Sequence, residues 1–163
     1  MSVAVRKAIA DDAEVVLALI QALADYERLK GPDAAAKERL RTGLFDGRLG
    51  MFTLLAEVDG EAAGYAVAYE MYSTFEGLPK MFLEDIFVVE QHRGTGAGYA
   101  LFREVAAEAR RRGCCEMEWQ VLTWNQRSID FYDRLGASRD EEWYTYLLDE
   151  EGMRRLAGGD SLG

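Results

Sequence analysis

An acidic pair, Glu84-Asp85, stands ahead of the run Gln91-His92-Arg93-Gly94-Thr95-Gly96-Ala97-Gly98. Glycines at alternate positions leave little side chain to shield the backbone N–H groups of that turn. N–H groups exposed where a helix begins form a cavity suited to an anion, most often a phosphate. A carboxylate upstream on the same element can accept a proton. The pair and the turn together read as an enzyme that holds a phosphorylated cofactor and deprotonates something beside it.

The elements that must position these groups follow from the hydrophobic pattern. Met81 to Val89 is apolar on both faces apart from Glu84 and Asp85, as expected of a central strand covered on both sides. Strict alternation sends the two acids to opposite faces, so they are not expected to share one site. The turn then opens a helix from about Ala97 to Arg112, with Ala97, Leu101, Val105 and Ala109 on its inner face.

Upstream, Val3 to Ala8 reads as a first strand. Asp11 then reads as an N-cap with Glu14 at capping-box spacing, ahead of a stripe of Val15, Val16, Leu19, Ile20 and Leu23 ending near Tyr26. Gly31-Pro32 stops that helix, and Asp33 caps a second one with Ala36, Leu40 and Leu44 inside. Met51–Val58 and Glu61–Tyr72 form a hairpin about Asp59-Gly60, and Ser73–Pro79 is a loop.

Downstream, Cys115 to Val121 alternates as a strand, and Ser128–Arg134 is a short helix stopped by Gly136. Trp143–Leu148 is a last strand, and the tail beyond Met153 is a short helix at most. The whole is mixed α/β, antiparallel first and then a strand–helix–strand crossover carrying the turn.

A chain of 163 residues fits one domain. A formal net charge of -10 argues against a general nucleic-acid binder, so phosphates must be held by local N–H groups and a few arginines. The same charge suits an amine-bearing substrate, and equally serves to keep a protein in solution. Neither a membrane-length apolar run nor a signal-peptide layout is present, which leads us to expect a cytoplasmic protein without membrane association. Cys114 and Cys115 are adjacent, a poor disulfide, and with one histidine in the chain no His/Cys metal centre is expected.

The spacing G-x-G-x-G differs from a dinucleotide fingerprint, since Tyr99 stands where the third glycine belongs. Glu118 falls at the right distance for the fingerprint's acid, but the motif comes too late in the chain for a doubly wound domain. No Lys-Ser/Thr pair follows the glycines, so a P-loop is excluded. The turn instead resembles the Q/R-x-x-G-x-G/A motif of the GNAT acetyltransferases. Trp124-Asn125-Gln126-Arg127-Ser128-Ile129-Asp130-Phe131-Tyr132 is similar to that family's second acyl-CoA motif. Tyr26-Glu27, Leu83-Glu84-Asp85 and Trp124-Asn125…Tyr132 narrow the likeness to the spermidine/spermine and thialysine-type N-acetyltransferases. It runs from Val3 to about Trp143.

The resemblance implies a GNAT-like, mostly antiparallel sheet of six to seven strands flanked by about four helices. It implies one N-acetyltransferase domain over residues 1–157, with 158–163 a flexible tail. Acetyl-CoA would be the co-substrate, its pyrophosphate on Arg93, Gly94, Thr95, Gly96, Ala97, Gly98 and Tyr99. The pantetheine arm would pair with Ile86, Phe87 and Val88, and Asn125, Ser128 and Tyr132 would complete the cofactor site. Glu84 would be the base, Tyr132 the acid for the leaving thiolate, and Asp85 structural. A small cationic amine (polyamine, diamine or lysine analogue) would meet Tyr26, Glu27, Glu84, Glu118, Trp119, Gln120 and Glu141. A homodimer is also implied. The loop Tyr72–Pro79 lacks the tryptophan of the mammalian-type pattern, which disfavours spermidine or spermine itself. His92 reads as a turn residue. A non-catalytic acyl-CoA sensor and a protein or peptide N-acetyltransferase remain as alternative readings.

Overall fold

A computed structural model describes residues 1–159 of the protein. The described chain falls into two compact units, Met1–Leu122 and the residues from Thr123 onward.

The first unit is built on one sheet in the order β1-β2-β3-β4-β5. Its strands are β1 (Val3–Lys7), β2 (Phe52–Val58), β3 (Glu61–Ser73), β4 (Leu78–Val88) and β5 (Met117–Trp119). The first four pair antiparallel, and β5 joins β4 in parallel. Asp59 and Gly60 both have left-handed φ values, +51° and +87°, the turn that matches strand twist in a two-residue hairpin. The β3–β4 connection is shorter than expected. Ser73 pairs with Leu78, so only four residues lie between the two strands.

Helix α3 (Ala97–Arg111) covers one face of the sheet. Its stripe of Ala97, Leu101, Val105 and Ala109 is buried against Leu54, Ala66, Met81 and Leu83. Helices α1 (Ala13–Glu27) and α2 (Ala34–Gly43) cover the other, where Val16, Leu19 and Leu44 meet Leu55, Tyr65, Val67 and Phe87. The α1 stripe is rotated by one residue from expectation: Val15 is exposed, while Ala13, Val16, Leu17 and Leu19 are buried. Its cap differs too. Asp12, not Asp11, is the N-cap residue, and its carboxylate faces backward, accepting the Ile9 N–H at 2.8 Å and pairing with Arg6, while Glu14 pairs with Arg41 of α2. Asp33 caps α2 as expected, accepting the Ala36 N–H at 2.8 Å.

The second unit holds α4 (Gln126–Arg134) and α5 (Glu150–Ala157). Helix α5 begins earlier than expected because Asp149 accepts the Gly152 N–H at 2.8 Å and two glutamates occupy its first turn. The described residues therefore give five strands and five helices, not six to seven and about four. Trp143–Leu148 is not a strand; an alternating β-branched or aromatic pattern forms one only against a partner edge, and none pairs with it here. Of the expected tail, residues 160–163 lie outside the described residues. Among the described residues, no helix is long and apolar enough to cross a membrane.

Candidate active site

The site begins with an irregularity in β4. Val67 of β3 pairs with Asp85, and the next residue, Ala68, pairs with Leu83. Glu84 is therefore the extra residue of a β-bulge, and alternation restarts at Asp85. The consequence corrects the sequence-based expectation: the two acids share a face. The fully buried Tyr65, in the core beneath α1 and α2, donates its hydroxyl to Asp85 Oδ2 at 3.0 Å. Burial, and then the nearby Glu84, push upward the phenol of Tyr69, four residues along the same face of β3. The bulge also pushes Glu84 outward, so it is exposed where a buried strand position was expected, and Asp85 is the more enclosed acid.

Enclosure sets the electrostatics. Burial pushes the Asp85 carboxyl up to about 6, against the pull of the Tyr65 hydroxyl, with the charges of Glu84 and Glu27 adding to the rise. Tyr65 is pushed upward by its own burial and then by Asp85. Burial also raises Glu27, the last residue of α1. The charges of Glu27, on α1, and Glu84, on β4, thus both bear on Asp85. An acidic face of this kind is suited to a cation.

The other end of β4 runs into the glycine turn. Residues Glu90–His92 make a 3-10 turn, and the Thr95 hydroxyl closes the loop by donating to the His92 carbonyl at 2.7 Å. Gly94 and Gly96 have φ of +81° and +93°, a region costly for a residue with a Cβ, and a Cβ at either would meet nothing within 4 Å. The space above the turn is open. The first bond of α3 runs from the Ala100 N–H to the Gly96 carbonyl, so the N–H groups of Ala97, Gly98 and Tyr99 have no acceptor within the helix. Ala97 makes a long contact of 3.4 Å to Thr95 Oγ1. This donor set, at a helix N-terminus with no acid in its first turn, fits a pyrophosphate.

Between acids and turn, the edge of β4 is open to a further strand. The Val89 N–H donates to the Ala63 carbonyl of the β2–β3 side, so by alternation Ile86 and Val88 direct their polar groups away from β3, where the Val88 carbonyl already accepts from Arg93 Nε at 3.1 Å. On that side β5 pairs only with Met81–Leu83, its ladder ending where the bulge begins. The expected strand Cys115–Val121 is cut to three residues for the same reason. An amide-bearing arm could add to this edge.

In the second unit, Asn125 caps α4 by accepting the Ser128 N–H at 3.3 Å, and the rings of Phe131 and Tyr132 meet edge to face at 5.5 Å. The cap orients Asn125 and Ser128 together at the first turn.

The Acetyltransferase (GNAT) family model matches residues 16–137. The chain belongs to the GNAT acetyltransferase family. It is similar to thialysine N-epsilon-acetyltransferase of Sus scrofa, 35% identical over 96% of this chain and 98% of that protein. The protein of the same name from Bos taurus is 36% identical over the same shares. Among solved structures, an integron cassette protein from the mobile metagenome of V. cholerae shares the fold at a TM-score of 0.81. It is 24% identical over 96% of this chain and 98% of that one.

Within the first unit the structure gathers some of the sequence-derived site residues and separates others. Tyr26, Glu27 and Glu84 lie on the α1 face of the sheet, and Ile86, Val88 and the turn follow along β4. The run Glu118-Trp119-Gln120 does not act as a block. Trp119 packs edge to face on Phe102 at 5.0 Å in the core beneath α3, on the sheet face opposite the acids. Glu118 is paired with Lys80, together with Glu116, and Gln120 lies exposed beyond β5. Glu141 is exposed in the second unit. Sequence reasoning passed over Tyr65 and Tyr69. Their period-two spacing with Val67 already placed them on one face, but only the bulge reveals that both acids meet them there.

Proposed function

We propose that this acetyltransferase moves an acetyl group from acetyl-CoA to the amino group of a small cationic substrate, by direct attack within a ternary complex. The observation that carries the reading is the bulge, which gathers Glu84 and Asp85 beside Glu27 on one face, upstream of a donor-lined turn on the same strand. The near full-length similarity to proteins named for a lysine analogue supports the amine class.

A primary amine with a pKa near 10 is neutral only about one part in a thousand at pH 7. Glu84 takes the ammonium proton directly or through one water, a role supported by its exposure at the bulge. The amine lone pair then forms a C–N bond to the acetyl carbon as the C–S bond breaks. The thiolate takes its proton from the phenol of Tyr132, whose ordinary pKa lies above that of a thiol, and the second proton that the nitrogen sheds as the amide forms returns through water to that phenolate. The N–H groups of the turn hold the pyrophosphate, and the outward backbone groups of Ile86 with the Val88 N–H pair with the pantetheine arm. The reading extends to a homodimer, supported by the exposed aromatic stretch before α5.

Steady-state rates over a panel of diamines, polyamines and lysine analogues test it. Glu84→Gln and Tyr132→Phe should each lower kcat by about a hundredfold. Unchanged rates in both would sink the assigned roles, and acetyl-CoA binding without turnover on any amine would replace the enzyme by a binding module.

A further inference from the structure

Arg93 opens the glycine turn, where a cation directed at phosphates would be expected. Its side chain instead runs back along β4. Its Nε donates to the Val88 carbonyl at 3.1 Å. The guanidinium carbon lies 4.6 Å from the centre of the Tyr26 ring and 5.7 Å from that of Phe87. The Tyr26 and Phe87 rings are themselves 6.1 Å apart. One side chain from the cofactor turn therefore rests on the last turn of α1, the segment that carries Glu27.

That terminus is a tight one: Arg28 caps α1 with φ of +59°, and the N–H groups of Arg28 and Leu29 donate to the Asp25 and Ala24 carbonyls at 3.2 and 2.9 Å. A planar guanidinium can stack on an aromatic ring while donating to a carbonyl in its own plane, which the ammonium of lysine does poorly.

We propose that Arg93 is a positioning residue for the amine site: by stacking on Tyr26 while anchored to the Val88 carbonyl, it sets the α1 terminus, with Glu27, against β4. The inference rests on the acetyl-transfer reading and assigns to Arg93 a role separate from phosphate binding. A phosphate contact requires mainly positive charge, which Arg93→Lys retains. A stacking contact requires the plane, which it removes.

Steady-state kinetics of Arg93→Lys, Tyr26→Leu and the double variant, with melting temperatures to confirm folding, separate the two. Arg93→Lys should raise the amine KM about fivefold and leave the acetyl-CoA KM within about twofold, with kcat little changed. Tyr26→Leu should act in the same direction, and the double variant should be no worse than the more severe single one. A raised acetyl-CoA KM with an unchanged amine KM overturns the proposal, as do strictly additive effects. If Arg93→Lys fails to fold, Tyr26→Leu alone keeps the test: it should raise the amine KM about fivefold with the acetyl-CoA KM within about twofold, and an unchanged amine KM overturns the proposal. Absence of turnover by the wild-type enzyme on every amine would instead overturn the acetyl-transfer reading itself.

Discussion

At the scale of single residues, Asp85 has the most instructive environment. Its carboxyl sits at about 6 in the folded protein against an ordinary value of 3.8. A raised folded value means that the folded state holds more protons between those limits. The favourable contribution is therefore complete below pH ~4 and is lost as pH rises through ~6. At neutral pH the charge costs the fold at most about 3 kcal/mol. Asp85→Asn keeps an oxygen to accept the Tyr65 hydroxyl and removes the charge. It should stabilise the protein by about 1–2 kcal/mol at pH 7, with the gain vanishing near pH 4. Urea unfolding at the two pH values checks this, and a pH-independent effect would refute the burial argument. An enclosed acid retained at a stability cost, beside the exposed Glu84, is what a cation-binding face would require.

At the scale of elements, the bulge in β4 and the N-terminus of α3 divide the work. The bulge turns Asp85 to the α1 face and ends the β4–β5 ladder, which frees the edge at Ile86 and Val88. The turn then presents N–H groups through two glycines at positive φ. Gly96→Ala should cost about 1–2 kcal/mol through its backbone alone. Its Cβ also enters the open space above the turn. Acetyl-CoA affinity measured by calorimetry should fall at least tenfold, more than the loss of stability would suggest if the variant is still folded. Affinity equal to wild type in a folded variant would remove the pyrophosphate from this turn.

At the scale of the whole molecule, the exposed stretch before α5 stands out. Tyr144, Tyr146 and Leu147 are each at least 90% exposed, and Trp143 is 77% exposed. Contiguous apolar surface on this scale marks an interaction site more often than free surface, and its alternating pattern is that of a strand awaiting a neighbour. A second copy of the chain is the occupant we propose. Light scattering on the purified protein should give twice the mass of one chain, and Tyr144→Ser with Tyr146→Ser should shift it toward the single-chain mass. A wild-type protein of single-chain mass at micromolar concentration would rule the dimer out.

The amino-acid sequence alone determined the order of elements as far as α4, the hairpin at Asp59-Gly60, the inner stripe of α3, the cap at Asp33 and the glycine turn. Each of these is a local pattern, written within a few residues of where it acts. It also identified the family, because both acyl-CoA motifs are contiguous. Alternation alone sent Asp85 to the wrong face, whereas it was the resemblance that set Trp119 beside the substrate. A bulge is a mismatch between two strands, and nothing within β4 announces how β3 will pair with it. The separation of Trp119 from the acids, and the stacking of Arg93 on Tyr26 across 67 positions of chain, likewise exist only once α1, β4 and α3 are packed on one sheet.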